Sequence, residues 1–301
     1  MRLATVDYQG DERVALAAGE AEVLLLPASE GDMVTLIAKG RDHIAALAAS
    51  ADKVALDQVR LLAPIRRFSR DVLCTGWNYW DHFEESKGKR EGQDVDRPKA
   101  PTFFTKSPYT VAGPQDDIPL DPHISAKWDY EAEIGLVIGK PCRNLNQANA
   151  GEAIFGYFLA NDVSQRDLQR RHGGQWLKGK SIDHSMPIGP WIVTPEELEI
   201  DTAQLELELN GEVMQSASVR QMAFAIPELL AELSFGMTLM PGDILITGTP
   251  AGIGNAREPQ VFLKPGDEMV VRATGLGELR NRVVAADLHE GTDLPAMGEP
   301  A

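Results

Sequence analysis

Apolar and polar residues alternate in short blocks along most of the chain, a pattern that predicts strands more often than long helices. In residues 1–66, brief apolar runs such as Val23–Leu26 and Val34–Ile37 lie between Gly and Asp turns, and these runs predict strands. Asp42–Ala51 instead has the spacing and composition of a helix. The first 66 residues therefore indicate a small α/β unit.

The pattern changes after Pro64 and the basic pair Arg66–Arg67, where we place a boundary. Further strands are predicted downstream, including a hairpin whose turn is Asn210–Gly211. Lys87–Pro98 is charged and contains Gly, so it is a candidate lid between strands. We predict an α+β, mostly β protein with a small N-terminal domain over 1–66, a main domain over 67–288 and a C-terminal tail over 289–301.

Trp128–Ile138 is the most informative predicted strand. Side chains alternate between the two faces of a strand, so its apolar and aromatic residues share one face while Asp129, Glu131 and Glu133 share the other. Neighbouring carboxylates on that face would lie roughly 6–7 Å apart and repel one another. The acidic face is therefore either solvated or enclosed around positive charge, and a hard cation such as Mg²⁺ or Mn²⁺ prefers these oxygen ligands.

A third carboxylate and several cationic residues follow the next predicted strand. Asp162 comes directly after an apolar run, where it could complete a metal site or simply cap a charged helix. Arg166 and Gln169 would share one face of that helix and could hold a substrate carboxylate. Lys180 lies in Gly174–Ser181, which matches the phosphate-binding pattern GxxxxGK[ST]. We reject a phosphate-binding loop because no buried strand precedes the segment and prolines follow it.

Composition narrows the classes of partner. The chain has 301 residues and a formal charge of −16, which disfavours nucleic acid and anionic membranes as partners. Its two cysteines make no disulfide framework, and no apolar run is long enough for a membrane span. The first residues include acids and no apolar core of a signal peptide. We expect a soluble, cytoplasmic protein.

Taken together, these segments resemble the fumarylacetoacetate hydrolase superfamily over roughly residues 70–285. Five blocks carry the resemblance, and their order and spacing are more specific than any one of them: Gly76–Glu85, Asp129–Ile134, Asn161–Gln169, Lys180–Pro190 and Thr247–Gly254. The resemblance implies a rolled, mixed β-sandwich as the catalytic domain, usually in a homodimer. Trp77 and Trp80 stand where many members of the superfamily have other residues.

The resemblance also implies roles for individual residues. Glu131, Glu133 and Asp162 would bind Mg²⁺ or Mn²⁺. His82 and Glu85 resemble the pair that activates water, and they would meet on one face if their segment is helical. Lys180 would stabilise an enolate, while Arg166, Gln169 and Thr249 would contact the substrate. Without this context, His82 could be an ordinary surface histidine, and His43, His123, His172, His184 and His289 receive no role.

The implied reaction is metal-dependent hydrolysis of a C–C bond in a 2,4-dioxo acid, such as an acylpyruvate from the breakdown of aromatic compounds. Water activated by His82 would attack the distal carbonyl, and the metal would stabilise the departing enolate. A decarboxylase, isomerase or hydratase acting on a small anionic 2-oxo acid is the alternative on the same scaffold. A protein that binds metal or ligand without catalysis is a more distant hypothesis.

Overall fold

The structure is a computed structural model that describes residues 1–89 and 95–290. The N-terminal strands and helices begin and end as follows: β1 Arg2–Tyr8, β2 Asp11–Ala17, β3 Glu22–Leu25, α1 Met33–Lys39, α2 Arg41–Leu47, β4 Asp52–Ala55 and β5 Arg60–Leu62. The helix predicted over Asp42–Ala51 is confirmed by α2 and the short 3-10 helix after it. β1 is central to this part, because it pairs with β2, with β5 and with a strand of the main domain.

The strand predicted over Val34–Ile37 is wrong, because this run lies inside α1. The carboxylate of Asp32 accepts a hydrogen bond from Thr35 N at 2.9 Å and caps the helix. Gly40 ends α1 with φ +92, a conformation that favours glycine. A four-residue apolar run has too few positions to separate a buried strand from one face of a helix.

The main domain continues with the following elements: β6 Val72–Gly76, α3 Trp80–Glu85, β7 Thr102–Lys106, β8 Val111–Ala112, β9 Ile118–Leu120, β10 Trp128–Asp129, β11 Ala132–Ile138, β12 Ile154–Asn161, β13 Ser164–Gln165, α4 Arg166–Arg171, β14 Met186–Val193, β15 Gln204–Leu209, β16 Glu212–Ser218, α5 Ile226–Ser234, β17 Ile244–Ile246, β18 Glu268–Ala273 and β19 Gly277–Ala285. Short 3-10 helices join several of them, among them Leu177–Lys180. The predicted hairpin is confirmed as β15 and β16, with Asn210 and Gly211 in the turn.

Two sheets organise these strands. The larger has the order β4-β3-β2-β1-β14-β12-β11-β17-β6-β7, and the smaller has the order β16-β15-β18-β19-β9. β1 joins the N-terminal strands to the main domain by pairing antiparallel with β14, Leu3 opposite Ile192. The fold is thus mostly β with mixed sheets, as predicted, while the division into domains stays a prediction.

β11 lies at the centre of the larger sheet, and protein covers both of its faces. Ile134 and Leu136 pack with residues of the smaller sheet such as Leu205 and Val271. Val137 faces a second core on the opposite side. Every residue of β11 is therefore buried, including its carboxylate Glu133. The predicted alternation of faces holds, but the solvated acidic face that we considered is excluded.

One interruption in this segment matters for the site. The predicted strand Trp128–Ile138 is not continuous, because it splits into β10 and β11 at Tyr130 and Glu131. β10 pairs with β13, a short strand outside both large sheets, whereas β11 pairs with β12. The break lets the chain turn from one pairing partner to another, and Glu131 lies at that turn.

Among the described residues, none of the helices combines the length and apolar character needed to cross a membrane.

Candidate active site

Three buried carboxylates, Glu131, Glu133 and Asp162, form what we call the carboxylate cage. Their exposed fractions are 4%, 1% and 0%, and each offers an oxygen within 4.8 Å of those of the other two. The antiparallel pairing of β11 with β12 brings them together, because Ala132 lies opposite Asn161 and Asp162 N donates to Glu131 O at 2.8 Å. The sequence-predicted ligands therefore meet at one point of the fold.

Positively charged side chains surround the cage. Lys180 Nζ lies 2.5 Å from Glu131 Oε2 and 2.6 Å from Asp162 Oδ2. Arg166 Nη2 donates to Glu131 Oε1 at 2.6 Å. Lys106 is fully buried and donates to Asp162 Oδ1 and, at 3.2 Å, to Val163 O. The positive charge expected beside an enclosed acidic face is thus present in the protein itself.

Glu131 and Glu133 differ in electrostatic environment. Burial raises the pKa of Glu131, but Lys180 and Arg166 outweigh it and hold that pKa well below its usual range. Burial and the nearby carboxylates Asp162 and Glu131 raise the pKa of Glu133 well above its usual range. Glu133 Oε2 accepts a hydrogen bond from Gly248 N at 2.6 Å. A further positive charge at Glu133 would therefore be stabilising.

The donor set of the cage fits a hard divalent cation. Glu131, Glu133 and Asp162 offer only carboxylate oxygens, which Mg²⁺ and Mn²⁺ prefer. Three such ligands also leave coordination positions for a substrate, which a closed structural site would not do. These residues are the ones that would hold the cation.

A fourth buried carboxylate, Asp129, attaches the loop after β17 to this centre. Asp129 Oδ2 accepts from Arg166 Nε at 2.8 Å, and its oxygens accept the backbone N–H groups of Gly254 at 2.7 Å and Asn255 at 3.0 Å. Gly254 is required here, because a Cβ would lie 1.8 Å from Val261 O. Asp129 therefore orients Arg166 and the loop together.

Gln169 and Thr249 are brought to the same cleft. Gln169 Oε1 accepts from Arg166 Nη1 at 3.1 Å, as expected for neighbours three residues apart on α4. Thr249 Oγ1 accepts from Gln215 Nε2 at 2.8 Å, which fixes a buried hydroxyl at the cleft wall. The arrangement places amide and hydroxyl groups beside the cage.

His82 and Glu85 lie on α3, and the predicted helical spacing brings them into contact. His82 Nδ1 is 2.9 Å from Glu85 Oε1, while Glu85 Oε2 accepts from Gly252 N at 2.8 Å. In the neutral imidazole, this contact would favour the tautomer with the proton on Nδ1, because the carboxylate of Glu85 only accepts, and Nε2 would then have a free lone pair. His82 lines the same cleft as Glu131 and Glu133. The imidazole and the carboxylate cage thus share one cavity.

The cleft has a volume of about 610 Å³ including its open side, and one wall is aromatic. Trp176 packs edge-to-face on Trp77 at 4.8 Å and on Phe104 at 5.1 Å between ring centroids. Gly76 permits this contact, because a Cβ would lie 2.2 Å from the Trp176 ring. Trp77 adopts φ +54, an uncommon conformation for a bulky residue. This wall gives one side of the cleft an apolar surface.

Two residues of the charge cluster around the carboxylate cage received no role from the sequence. Asp129 was recognised in the strand but given no role, and Lys106 was not singled out. The only signal for Lys106 was a lysine at the end of the short strand β7, which contains two phenylalanines, and this signal is weak. Residues 90–94 of the predicted lid lie outside the described residues.

The comparisons with known proteins agree with one another on family. Residues 71–284 match the family model described as fumarylacetoacetate (FAA) hydrolase C-terminal. A solved structure of fumarylacetoacetate hydrolase from psychrophilic Exiguobacterium antarcticum superposes with a TM-score of 0.81 and 34% identity, covering 95% of this chain and all of that one.

Two curated relatives carry a more specific name. The chain is 40% identical over 230 residues to oxaloacetate tautomerase YisK of Bacillus subtilis (strain 168), which covers 76% of this chain and 74% of that protein. It is 41% identical over 240 residues to the mitochondrial oxaloacetate tautomerase Fahd2a of Rattus norvegicus, covering 79% and 74% respectively.

Replacing one ligand of the cage should remove metal binding without unfolding the chain. Glu131→Ala deletes a carboxylate between Lys180 and Arg166, so a Mn²⁺ titration followed by electron paramagnetic resonance should show loss of the tight site. Glu152→Ala, which removes an exposed carboxylate paired with Lys140, is the control and should bind as the parent does. Parent-like Mn²⁺ binding by Glu131→Ala would contradict the assignment.

Removing Lys106 should destabilise the metal-free protein. Lys106→Met keeps most of the side-chain stem but leaves Asp162 with one cationic partner fewer, at a cost of about 3 kcal/mol for a broken buried pair. Urea denaturation of metal-free protein measures the change. Lys140→Met breaks the exposed pair with Glu152 and should leave the midpoint nearly unchanged. Equal midpoints for the two variants would contradict a buried charge cluster that depends on Lys106.

Proposed function

The chain belongs to the fumarylacetoacetate hydrolase family, and on that premise we propose that it is a divalent-metal-dependent oxaloacetate tautomerase. The observation that carries the proposal is that His82 and the carboxylate cage line one cleft. Keto–enol conversion of a 2-oxo acid needs a base for the carbon-bound proton and stabilisation of the enolate oxygen. The names of the two curated relatives select oxaloacetate among possible substrates.

The substrate's charges suit this cleft. Oxaloacetate carries two carboxylates, and the cleft is lined by the cationic side chains of Lys180, Arg166, Lys89 and Arg170. We assign Arg166, Gln169 and Thr249 to substrate contact, with Arg170 beside them for the second carboxylate.

The proposed reaction uses His82 as the base. A bound divalent cation would polarise the 2-oxo group and favour the enolate. His82 Nε2 would remove the C3 proton, while Glu85 holds the imidazole through Nδ1 and stabilises the imidazolium that forms. A proton from water completes the enol at the enolate oxygen, and the imidazolium returns its own proton to water. Asp162 and Glu131 outweigh burial and raise the pKa of Lys180, so its ammonium is a charged donor for the enolate oxygen.

A C–C hydrolase acting on an acylpyruvate is the second candidate, and the His82–Glu85 contact is the observation that favours it. The same imidazole could take a proton from water instead of from carbon. The homodimer, the cytoplasmic location and a role in the breakdown of aromatic compounds stay predictions.

Product analysis tests the proposal. Freshly dissolved oxaloacetate enol is followed by its ultraviolet absorbance, with and without Mn²⁺, while NMR identifies products from oxaloacetate and acetylpyruvate. A tautomerase accelerates enol decay in a metal-dependent way and leaves the carbon skeleton intact. Metal-dependent release of acetate and pyruvate from acetylpyruvate, with no acceleration of enol decay, would contradict the tautomerase and indicate the hydrolase. Pyruvate and CO₂ as the immediate products of oxaloacetate would point to a decarboxylase.

His82→Ala should slow turnover while leaving the metal site intact. Loss of a positioned general base typically lowers the rate by about 10²–10⁴-fold. Steady-state kinetics measures kcat, and a Mn²⁺ titration checks the cage. His43→Ala is a matched control, because His43 is also paired with a glutamate, Glu30, at 2.8 Å but lies outside the cleft. A His82→Ala enzyme with the parent's kcat would exclude His82 as the base.

A further inference from the structure

A second group of aspartate and histidine side chains, which received no role from the sequence, lies where the chain leaves β9 and β19. β9 and β19 pair in parallel, with Ala285 opposite Leu120, so the chain leaves both strands at the same edge of the smaller sheet. Asp121 follows β9 directly, and His289 lies shortly after β19, although the two are 168 residues apart in sequence. The parallel pairing therefore brings together two segments with metal-binding side chains.

The side chains at this edge form a compact group of nitrogen and oxygen atoms. His123 Nδ1 lies 3.1 Å from Asp121 Oδ1, and His289 Nδ1 lies 2.8 Å from Asp121 Oδ2. Asp287 Oδ1 lies 2.9 Å from the same His289 nitrogen. In a tetrahedral zinc site with bonds of about 2.0–2.1 Å, ligand atoms lie roughly 3.3 Å apart. Asp121, His123 and His289 each offer a ligand atom within 4.8 Å of those of the other two, and the exposed side chain of Asp287 would turn inward to complete the set.

Asp121 anchors this group through the backbone as well, because it accepts the N–H groups of His123 at 2.8 Å and Leu288 at 2.9 Å. His289 Nδ1 lies between two carboxylate oxygens, from Asp121 and Asp287, but one N–H can point at only one of them. Asp121 is itself fully buried, although it faces two imidazoles. A cation in place of the imidazole protons would contact Asp121 and both ring nitrogens at once, and Asp287 would join them by turning toward His289.

We propose that Asp121, His123, Asp287 and His289 form a second cation site, selective for a borderline transition metal such as Zn²⁺. Two imidazole nitrogens and two carboxylate oxygens suit Zn²⁺ in tetrahedral geometry, whereas the oxygen-only carboxylate cage suits Mg²⁺ or Mn²⁺. Four protein ligands make a closed, structural site and not a catalytic one. The two sites are thus distinguished by the chemistry of their donors.

The structure also assigns this site a role, because the loop it holds leads to the active site. Ser125, four residues after Asp121, donates from Oγ to Asp167 Oδ1 of α4 at 2.6 Å. Lys127 O accepts from Arg166 N at 2.9 Å. A bound cation would fasten the segment at 287–289 to this loop and so brace α4.

Zinc binding in a protein that lacks an intact cage tests the proposal. Glu131→Ala protein is titrated with Zn²⁺ against a chromogenic chelator, and we expect one tightly bound zinc per chain and a raised melting temperature. Adding His289→Ala or His123→Ala should weaken that binding about 100-fold or more and abolish the thermal shift. Adding His43→Ala, which removes a histidine with a single carboxylate partner, should change neither.

Two results would overturn the proposal. One is absence of tight zinc binding by the Glu131→Ala protein, and the other is retention of that zinc after His289→Ala.

Co²⁺ provides a test that needs no substitution at Asp121, His123, Asp287 or His289. Co²⁺-loaded Glu131→Ala protein should show the intense visible absorption of a tetrahedral site, and only weak octahedral bands would contradict the four-ligand geometry.

Discussion

The structure depends on a buried cluster of charges whose members cannot be satisfied separately. Four buried carboxylates, the cage and Asp129, face three buried cations, Lys106, Arg166 and Lys180, so one negative charge is in excess when all four carboxylates are ionised, as metal binding requires. A dication in the cage would change this excess to one positive charge. The metal-loaded site would then attract an anionic 2-oxo acid, even though the chain as a whole is strongly acidic.

The fold supplies what this cluster needs, which is burial on both sides and a fixed backbone. β11 is covered by two apolar cores, so Glu133 lies away from bulk water, where electrostatic interactions are strong. The break before β11 turns Glu131 toward Asp162, and backbone N–H groups at Gly248 and Gly254 hold the loop after β17 against the acids. Packing thus determines the geometry on which the chemistry relies.

Local patterns in the sequence predicted the parts of the site that lie close together along the chain. Alternation put Glu131 and Glu133 on one face, and helical spacing paired His82 with Glu85. Lys106 could not be found this way, because its partner Asp162 follows a different strand, β12. The meeting of His123 and His289 likewise depends on the parallel pairing of distant strands. Non-local contacts of this kind leave no periodic signal in a single sequence.

The most direct test of the account is the binding of oxalate, a planar dianion that resembles the enolate of a 2-oxo acid. Isothermal titration calorimetry compares metal-free protein with protein loaded with Mn²⁺. If the cation is what reverses the charge of the cage, oxalate should bind the loaded protein at least about 100-fold more tightly, a difference of about 2.7 kcal/mol. Equal affinities with and without Mn²⁺ would contradict a metal-dependent site for 2-oxo acids.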